Sequence, residues 1–286
     1  MSFRLVTDST ADLNEDWAKE HGVDILGLTV ELEGQVYETV GPDRLESSYL
    51  LERMKKGAQP LTSQINVGQF QEYFNSQVEA GQAVLYIGFS SVLSGTFQSA
   101  VIARDLVLES HPDAQIELID TRAAAAGEGF LVLKAQELRA AGQSLEETSR
   151  LIQDLAPRLR TYFLVNDLYH LVRGGRLSKT SALVGSLVNI KPLLWIDADG
   201  NLAPLAKLRG KKKAKKEMLL QATRDVAEPR AILSYSNDKK AAEKMRKKLL
   251  ESGCFEEVLL YPLGPVISAH IGPNSLVLYV IGQEPR

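Results

Sequence analysis

Short apolar runs bounded by polar or glycine residues alternate with stretches of helical periodicity through the first half of the chain. This alternation limits the fold more than any other feature. Phe3 to Val6, Val23 to Leu32, Ala83 to Ile87 and Ile116 to Ile119 read as strands. Between them Phe70, Tyr73, Phe74 and Val78 recur at helical spacing, as do Ala100, Ala103, Leu106 and Val107. Asp8-Ser9-Thr10 can cap a helix running through Leu13 and Trp17, and Ser144-Leu145-Glu146-Glu147 has the form of a capping box. Strands that alternate with helices predict an α/β fold with a mostly parallel sheet covered by helices on both faces.

The pattern changes near Arg160. Tyr162 to Val165 begins a strand, and Leu168 to Leu171 a helix that stops at Gly174-Gly175. Pro192 to Ile196 and Leu202 to Leu205 suggest a hairpin around Asp197-Ala198-Asp199-Gly200. Ala231 to Tyr235, a Lys-rich helix over 239–250, and strands near 257–261 and 275–281 make a second α/β unit. At ~150 residues per domain, 286 residues accommodate two. The expected division is 1–160 and 161–286, with a ligand cleft between the two.

Charge and composition exclude several classes. No apolar run reaches the ~18 residues of a membrane span, and the N-terminal residues lack the apolar core of a signal peptide. Cys254 is the only cysteine, so no internal disulfide forms, which fits a cytoplasmic location. The net charge of -3 divides unevenly: residues 1–160 hold 13 Lys+Arg against 24 Asp+Glu, and the remainder 20 against 12. That balance argues against a globally cationic nucleic-acid binder but leaves one basic face, with six cations in Arg209 to Lys216. Such a run is usually a solvated helix start, yet it can also dock an acidic partner or an anionic membrane surface.

Standard catalytic signatures are missing. There is no Gly-x-Ser-x-Gly elbow. Gly174 to Thr180 ends like a P-loop without its glycine frame, and Gly127-Glu128-Gly129 lacks the third glycine of a dinucleotide fingerprint. The four histidines have no His or Cys partner at ligand spacing, so no metal and no cofactor is expected. Three polar clusters remain. Thr62-Ser63-Gln64 reads as a polar elbow before a helix starting near Val67, with simple capping as its bland explanation. Ser90 to Thr96 lies between a strand and a helix, where Ser94, Gly95 and Thr96 can bind an anion at a helix N-terminus. His270 stands between two Gly-Pro turns and reads as held on a rigid loop.

In this order, these segments resemble the DegV family of bacterial lipid-binding proteins, which includes the fatty-acid-binding subunits of fatty acid kinase. The resemblance runs through Thr7-Asp8-Ser9-Thr10-Ala11-Asp12-Leu13, Thr62-Ser63-Gln64, Ser90 to Thr96, Asp167-Leu168, and Leu171 to Arg176. It continues through Asn189-Ile190-Lys191-Pro192 and Arg209-Gly210 to His270-Ile271-Gly272-Pro273. Asn274 stands where the family usually has glycine, and asparagine tolerates positive φ better than most residues.

The resemblance implies two α/β domains with one long-chain fatty acid between them. Thr62 and Ser94 match the residues that bind the carboxylate, within a set that also holds Ser63, Gly95 and Thr96, and His270 joins their polar network. Arg173 and Arg209 match contacts for phosphate or a partner. The implied role is a carrier: a separate fatty acid kinase phosphorylates the bound carboxylate, and the product enters phospholipid synthesis. Two questions stay open at this stage. One is whether a protonated His270 or a protonated acid avoids an unpaired buried carboxylate. The other is whether Ser94 and His270 form a serine acylhydrolase instead, although no acid stands out as a third member.

Overall fold

A computed structural model of the chain describes residues 3–178 and 190–286. Lys179 and Thr180 of the P-loop-like stretch, and Asn189, lie outside them. The chain opens with β1 (Phe3–Asp8), a 3₁₀ turn (Ser9–Ala11), α1 (Glu15–Glu20) and β2 (Val23–Leu26). There follow β3 (Thr29–Leu32), β4 (Gln35–Glu38), α2 (Ser47–Lys55), β5 (Leu61–Ser63) and α3 (Val67–Glu79). Then come β6 (Ala83–Gly88), α4 (Thr96–Ser110), β7 (Ile116–Asp120), α5 (Ala126–Ala140) and α6 (Leu145–Leu155).

The strands β2-β1-β6-β7, in that order, form a wholly parallel sheet. Side chains alternate across it. Phe3, Leu5, Leu85 and Ile87 pack with Phe130 of α5 and Ile152 of α6, while Val6, Val84 and Tyr86 pack with Phe70 and Phe74 of α3 and Ala100 of α4. The expected sheet with helices on both faces is therefore present. A small antiparallel sheet, β4-β3-β5, adjoins it.

The second half runs β8 (Leu159–Leu164), α7 (Tyr169–Arg173), β9 (Ile190–Ile196), β10 (Leu202–Arg209), α8 (Lys211–Thr223) and β11 (Arg230–Tyr235). It ends with α9 (Lys239–Glu251), β12 (Glu257–Pro262), α10 (Pro265–Ile271) and β13 (Leu276–Ile281). Its sheet has the order β10-β9-β8-β13-β11-β12 and is mixed, with only β11 and β12 parallel. The β9–β10 hairpin forms as expected, its turn held by the Asp197 carboxylate, which accepts from the Asp199 and Asn201 N–H groups. Met218 of α8 and Met245 and Leu249 of α9 cover the outer face.

Helix α5 lies between the two large sheets, touching β1 and β6 on one side and β8, β11 and β13 on the other. Residues Ala126 to Leu133 are all buried. The close fit explains the Gly127-Glu128-Gly129 sequence. A Cβ at Gly127 would stand 2.8 Å from the Tyr279 ring, and one at Gly129 only 2.4 Å from the Ala11 carbonyl oxygen.

Three local expectations change. Asp8 caps the 3₁₀ turn, accepting the Thr10 N–H, while α1 is capped by Asn14, which accepts the Trp17 N–H at 3.0 Å. Thr62 and Ser63 form an edge strand paired with β3, and α3 has its own capping box, Asn66 with Gln69. His270 sits on helix α10, which starts at Pro265, the residue type whose missing N–H fits a first turn. Asn274 adopts φ 60, the left-handed conformation that asparagine tolerates.

The close approach at α5 gives a first prediction. Gly129→Ala drives a methyl group into backbone rather than into a side chain that can turn away. It should cost at least about 2 kcal/mol, near the upper part of the overpacking range, read as a lowered urea unfolding midpoint.

Candidate functional site

A cavity opens where the two sheets meet. Its walls come from both halves of the chain. Thr10, Phe89, Leu93, Ser94, Ala124 and Ala125 follow the carboxyl ends of the parallel strands, where open α/β sheets bind ligands. Phe163, Ile196, Val277 and Tyr279 come from the inner face of the mixed sheet, and Val266, Ile267, His270 and Ile271 from α10. Most of this lining is apolar.

Polar groups gather around His270. Its Nε2 lies 2.9 Å from the Thr62 hydroxyl, which β5 carries to the cavity edge. Ser94 also lines the cavity; its hydroxyl is 2.9 Å from that of Thr96 and accepts the Thr96 N–H at 3.2 Å, at the start of α4. The histidine is thus hydrogen-bonded to Thr62 and the serine to Thr96, and no carboxylate pairs with His270 among the described residues. Two arginines of the Arg173-Gly174-Gly175-Arg176 segment close the arrangement. Arg176 lines the cavity and donates from Nε to the Leu93 carbonyl at 3.0 Å and from Nη1 to that of Gly174 at 2.6 Å. Arg173 donates to the Pro60 and Ala269 carbonyls, both at 3.4 Å. Neither has an ion pair with an acid among the described residues. Burial, then the charges of Arg176 and Arg173, push the His270 imidazole down to about 4, so it is neutral near pH 7. Burial also lowers Arg176.

Of the residues singled out from sequence, Thr62, Ser94 and His270 share this cavity, and the others lie outside its lining. Ser63 is exposed, because neighbouring residues of a strand point to opposite sides. Thr96 is buried behind Ser94. Gly95 has φ -72, an ordinary value; the carboxamide of Gln64 occupies the space a side chain at this position would need. Gln64 in turn donates to the Ser99 hydroxyl at 3.0 Å, which locks the two polar clusters together. Arg209 is exposed at the end of β10 and Arg173 stands beside the cavity. Sequence reading gave no role to Arg176, the last residue of one segment of the resemblance, or to Thr10, read as part of a helix cap. Among the described residues no set of three or more His, Cys, Asp or Glu is arranged to hold a metal, and no helix is long and apolar enough to cross a membrane.

Comparison with known proteins gives a consistent picture. A family model described as an uncharacterised protein of the DegV family matches residues 2–282. A DegV domain-containing protein of Streptococcus pyogenes serotype M1 is 56% identical over 286 residues, all of both chains. A solved structure described as fatty acid binding of a DegV family protein from Thermus thermophilus has a TM-score of 0.88 at 34% identity, covering 99% of this chain and 100% of that one. Another, of DegV, a fatty acid binding protein from Bacillus subtilis, has a TM-score of 0.84 at 30% identity, covering 99% and 100%.

The state of His270 generates a second prediction. The unfolded chain protonates this imidazole near pH ~6.5, the folded protein only near about 4. Between these values the unfolded state binds more protons, so the contribution is full above the upper value and is lost as pH falls through the window. The loss amounts to about 3 kcal/mol. His270→Gln should remove it, and the difference between wild-type and variant unfolding free energies should shrink from pH ~7 to pH ~4.

Proposed function

The chain belongs to the DegV family, and on that basis we propose that it binds one long-chain fatty acid between its two sheets. The carboxyl group lies at Thr62, Ser94 and His270, and the tail follows the apolar walls. The domains meeting at this site divide near residue 160. The observation that carries the reading is a largely apolar cavity that ends beside two arginines without carboxylate partners among the described residues. The binding activity stated for the Thermus thermophilus and Bacillus subtilis proteins supports it.

The energetics favour this division of labour. At ~0.8 kcal/mol per buried CH₂, a chain of about 16 carbons gains on the order of 10 kcal/mol from transfer. Hydroxyl hydrogen bonds add roughly 1 kcal/mol each and fix the orientation. With His270 neutral, Arg176 supplies the counter-charge, assisted by the N-terminal end of α4. Such a carrier serves a separate fatty acid kinase in the cytoplasm, which phosphorylates the carboxylate, with Arg173 and the exposed Arg209 contacting the phosphate or the partner. The acyl phosphate then feeds phospholipid synthesis, and the basic run after Arg209 offers a contact for an anionic membrane surface.

Denaturing the protein purified from cells should release close to one fatty acid per chain, measured by mass spectrometry. An empty protein without affinity for long-chain acids overturns the proposal. Thr62→Ala with Ser94→Ala should weaken acid binding. Arg176→Gln should weaken it about 10-fold to 100-fold, the value of a charged hydrogen bond, while sparing the corresponding fatty alcohol. Arg209→Ala should leave lipid affinity intact and slow kinase-dependent acyl phosphate formation.

A further inference from the structure

Behind Thr10 in the cavity wall, a chain of oxygen atoms makes more contacts than its hydroxyl protons can fill. Thr7 Oγ1 lies 2.8 Å from the Ile87 carbonyl oxygen and 2.8 Å from Glu128 Oε1. Thr10 Oγ1 lies 2.8 Å from Glu128 Oε2 and also touches Asp8 Oδ1. Asp8 further accepts from the Thr10 N–H at 2.9 Å, the Tyr86 hydroxyl at 2.7 Å and the Phe89 N–H at 3.4 Å. Asp8 and Glu128 are both fully buried.

The proton count identifies the protonated group. A carbonyl oxygen only accepts, so the single Thr7 proton goes to Ile87. The remaining contact between Thr7 and Glu128 is then a hydrogen bond only if Glu128 donates from Oε1. Thr10, with one proton of its own, is shared between Glu128 Oε2 and Asp8. This leaves Asp8 as the ionised member, since it accepts from three donors besides the shared Thr10 hydroxyl.

The surroundings favour the same assignment. Asp8 on β1 repels a charge on Glu128, as does Asp12 after the 3₁₀ turn when ionised, although burial holds the Asp12 carboxyl itself well above the usual range, and Tyr86 on β6 lies within the same field. Asp12 accepts the Gly264 N–H at 2.9 Å through Oδ1, but its Oδ2 is buried without a partner. Asp120 on β7 acts on Tyr86, Tyr279 on β13 lies within reach of Asp12, and His270 on α10 is neutral. No lysine or arginine forms an ion pair with Asp8, Asp12 or Glu128 among the described residues. Burial, then Asp8, holds the Glu128 carboxyl well above the usual range.

We propose that Glu128 is a positioning residue that carries a proton in the folded protein, and that Thr10, which lines the cavity, couples this proton to uptake of the acid. The proposal rests on the fatty-acid reading. With the proton present, Glu128 adds no charge to that of Asp8 behind Thr10, and the cavity admits a carboxylate. Removing the proton adds a second buried charge, which repels the head group. The coupling is reciprocal: an anionic ligand tightens the hold of Glu128 on its proton, and binding above its apparent pKa takes up one proton from solvent.

Two measurements test this. Infrared spectra of the wild-type protein at neutral pH should contain the carbonyl stretch of a protonated, water-shielded carboxylic acid. Isotopic labelling of glutamate carboxyls should shift that band. Its absence, or its failure to shift, overturns the proposal without the need for a variant. For the coupling, the dissociation constant of a long-chain fatty acid is measured against pH for wild type and Glu128→Gln, whose amide donates to Thr7 and accepts from Thr10. Above the inflection wild type should lose up to about tenfold in affinity per pH unit relative to the variant. The shared ligand cancels its own ionisation from the comparison. Superimposable profiles overturn the coupling and leave fatty-acid binding intact, whereas no acid binding at any pH overturns both.

Discussion

The burial of α5 between two sheets is the contact on which the rest of the structure depends. A helix that touches a sheet on each side has no solvent face along its central turns, so Ala126 to Leu133 can carry no exposed polar side chain. Gly127 and Gly129 bring Tyr279 and the Ala11 carbonyl to distances that any side chain would prevent. The same helix sets Ala124 and Ala125 in the cavity wall and holds Glu128 against Thr7 and Thr10. Fold, cavity and buried acid therefore rest on one piece of packing.

The polar end of the cavity is asymmetric in charge. On one side stand Arg173 and Arg176, half-buried and satisfied by backbone carbonyls that leave their charge uncompensated. Behind Thr10 stand Asp8 and Glu128, with Asp12 after the same turn, none in an ion pair among the described residues. The neutral His270 and the hydroxyls of Thr62 and Ser94 lie at the cavity. An isolated buried charge is costly, and burial raises all three acids, Glu128 and Asp12 furthest, whereas the arginines keep their charge beside the cavity.

Particular residues mark how far sequence reading carried. The parallel sheet was legible because apolar runs such as Ala83 to Ile87 alternate along the chain with helical segments, and the helices because Phe70 and Phe74 repeat at helical spacing. The polar elbow at Thr62 was misread, since a three-residue edge strand has no periodicity to detect and its partner β3 lies some thirty residues earlier in the chain. His270 was misread as a loop residue because Pro265 and Gly272 punctuate a one-to-two-turn helix as readily as a loop. Arg176 and Glu128 were passed over for a different reason: an arginine near a glycine turn, or an acid in a helix, gains meaning only from what is absent around it.

The sequence by itself determined the α/β class, most of its strands and helices and a list of candidate hydroxyl and imidazole side chains, because periodicity and local turn chemistry act over a few residues. Tertiary structure decided which of those side chains share a cavity, why Gly129 is glycine and where protons and charges reside. Those properties depend on distances and burial among residues far apart in the chain, 208 positions between Thr62 and His270 and 252 between Asp12 and Gly264. No local pattern encodes them.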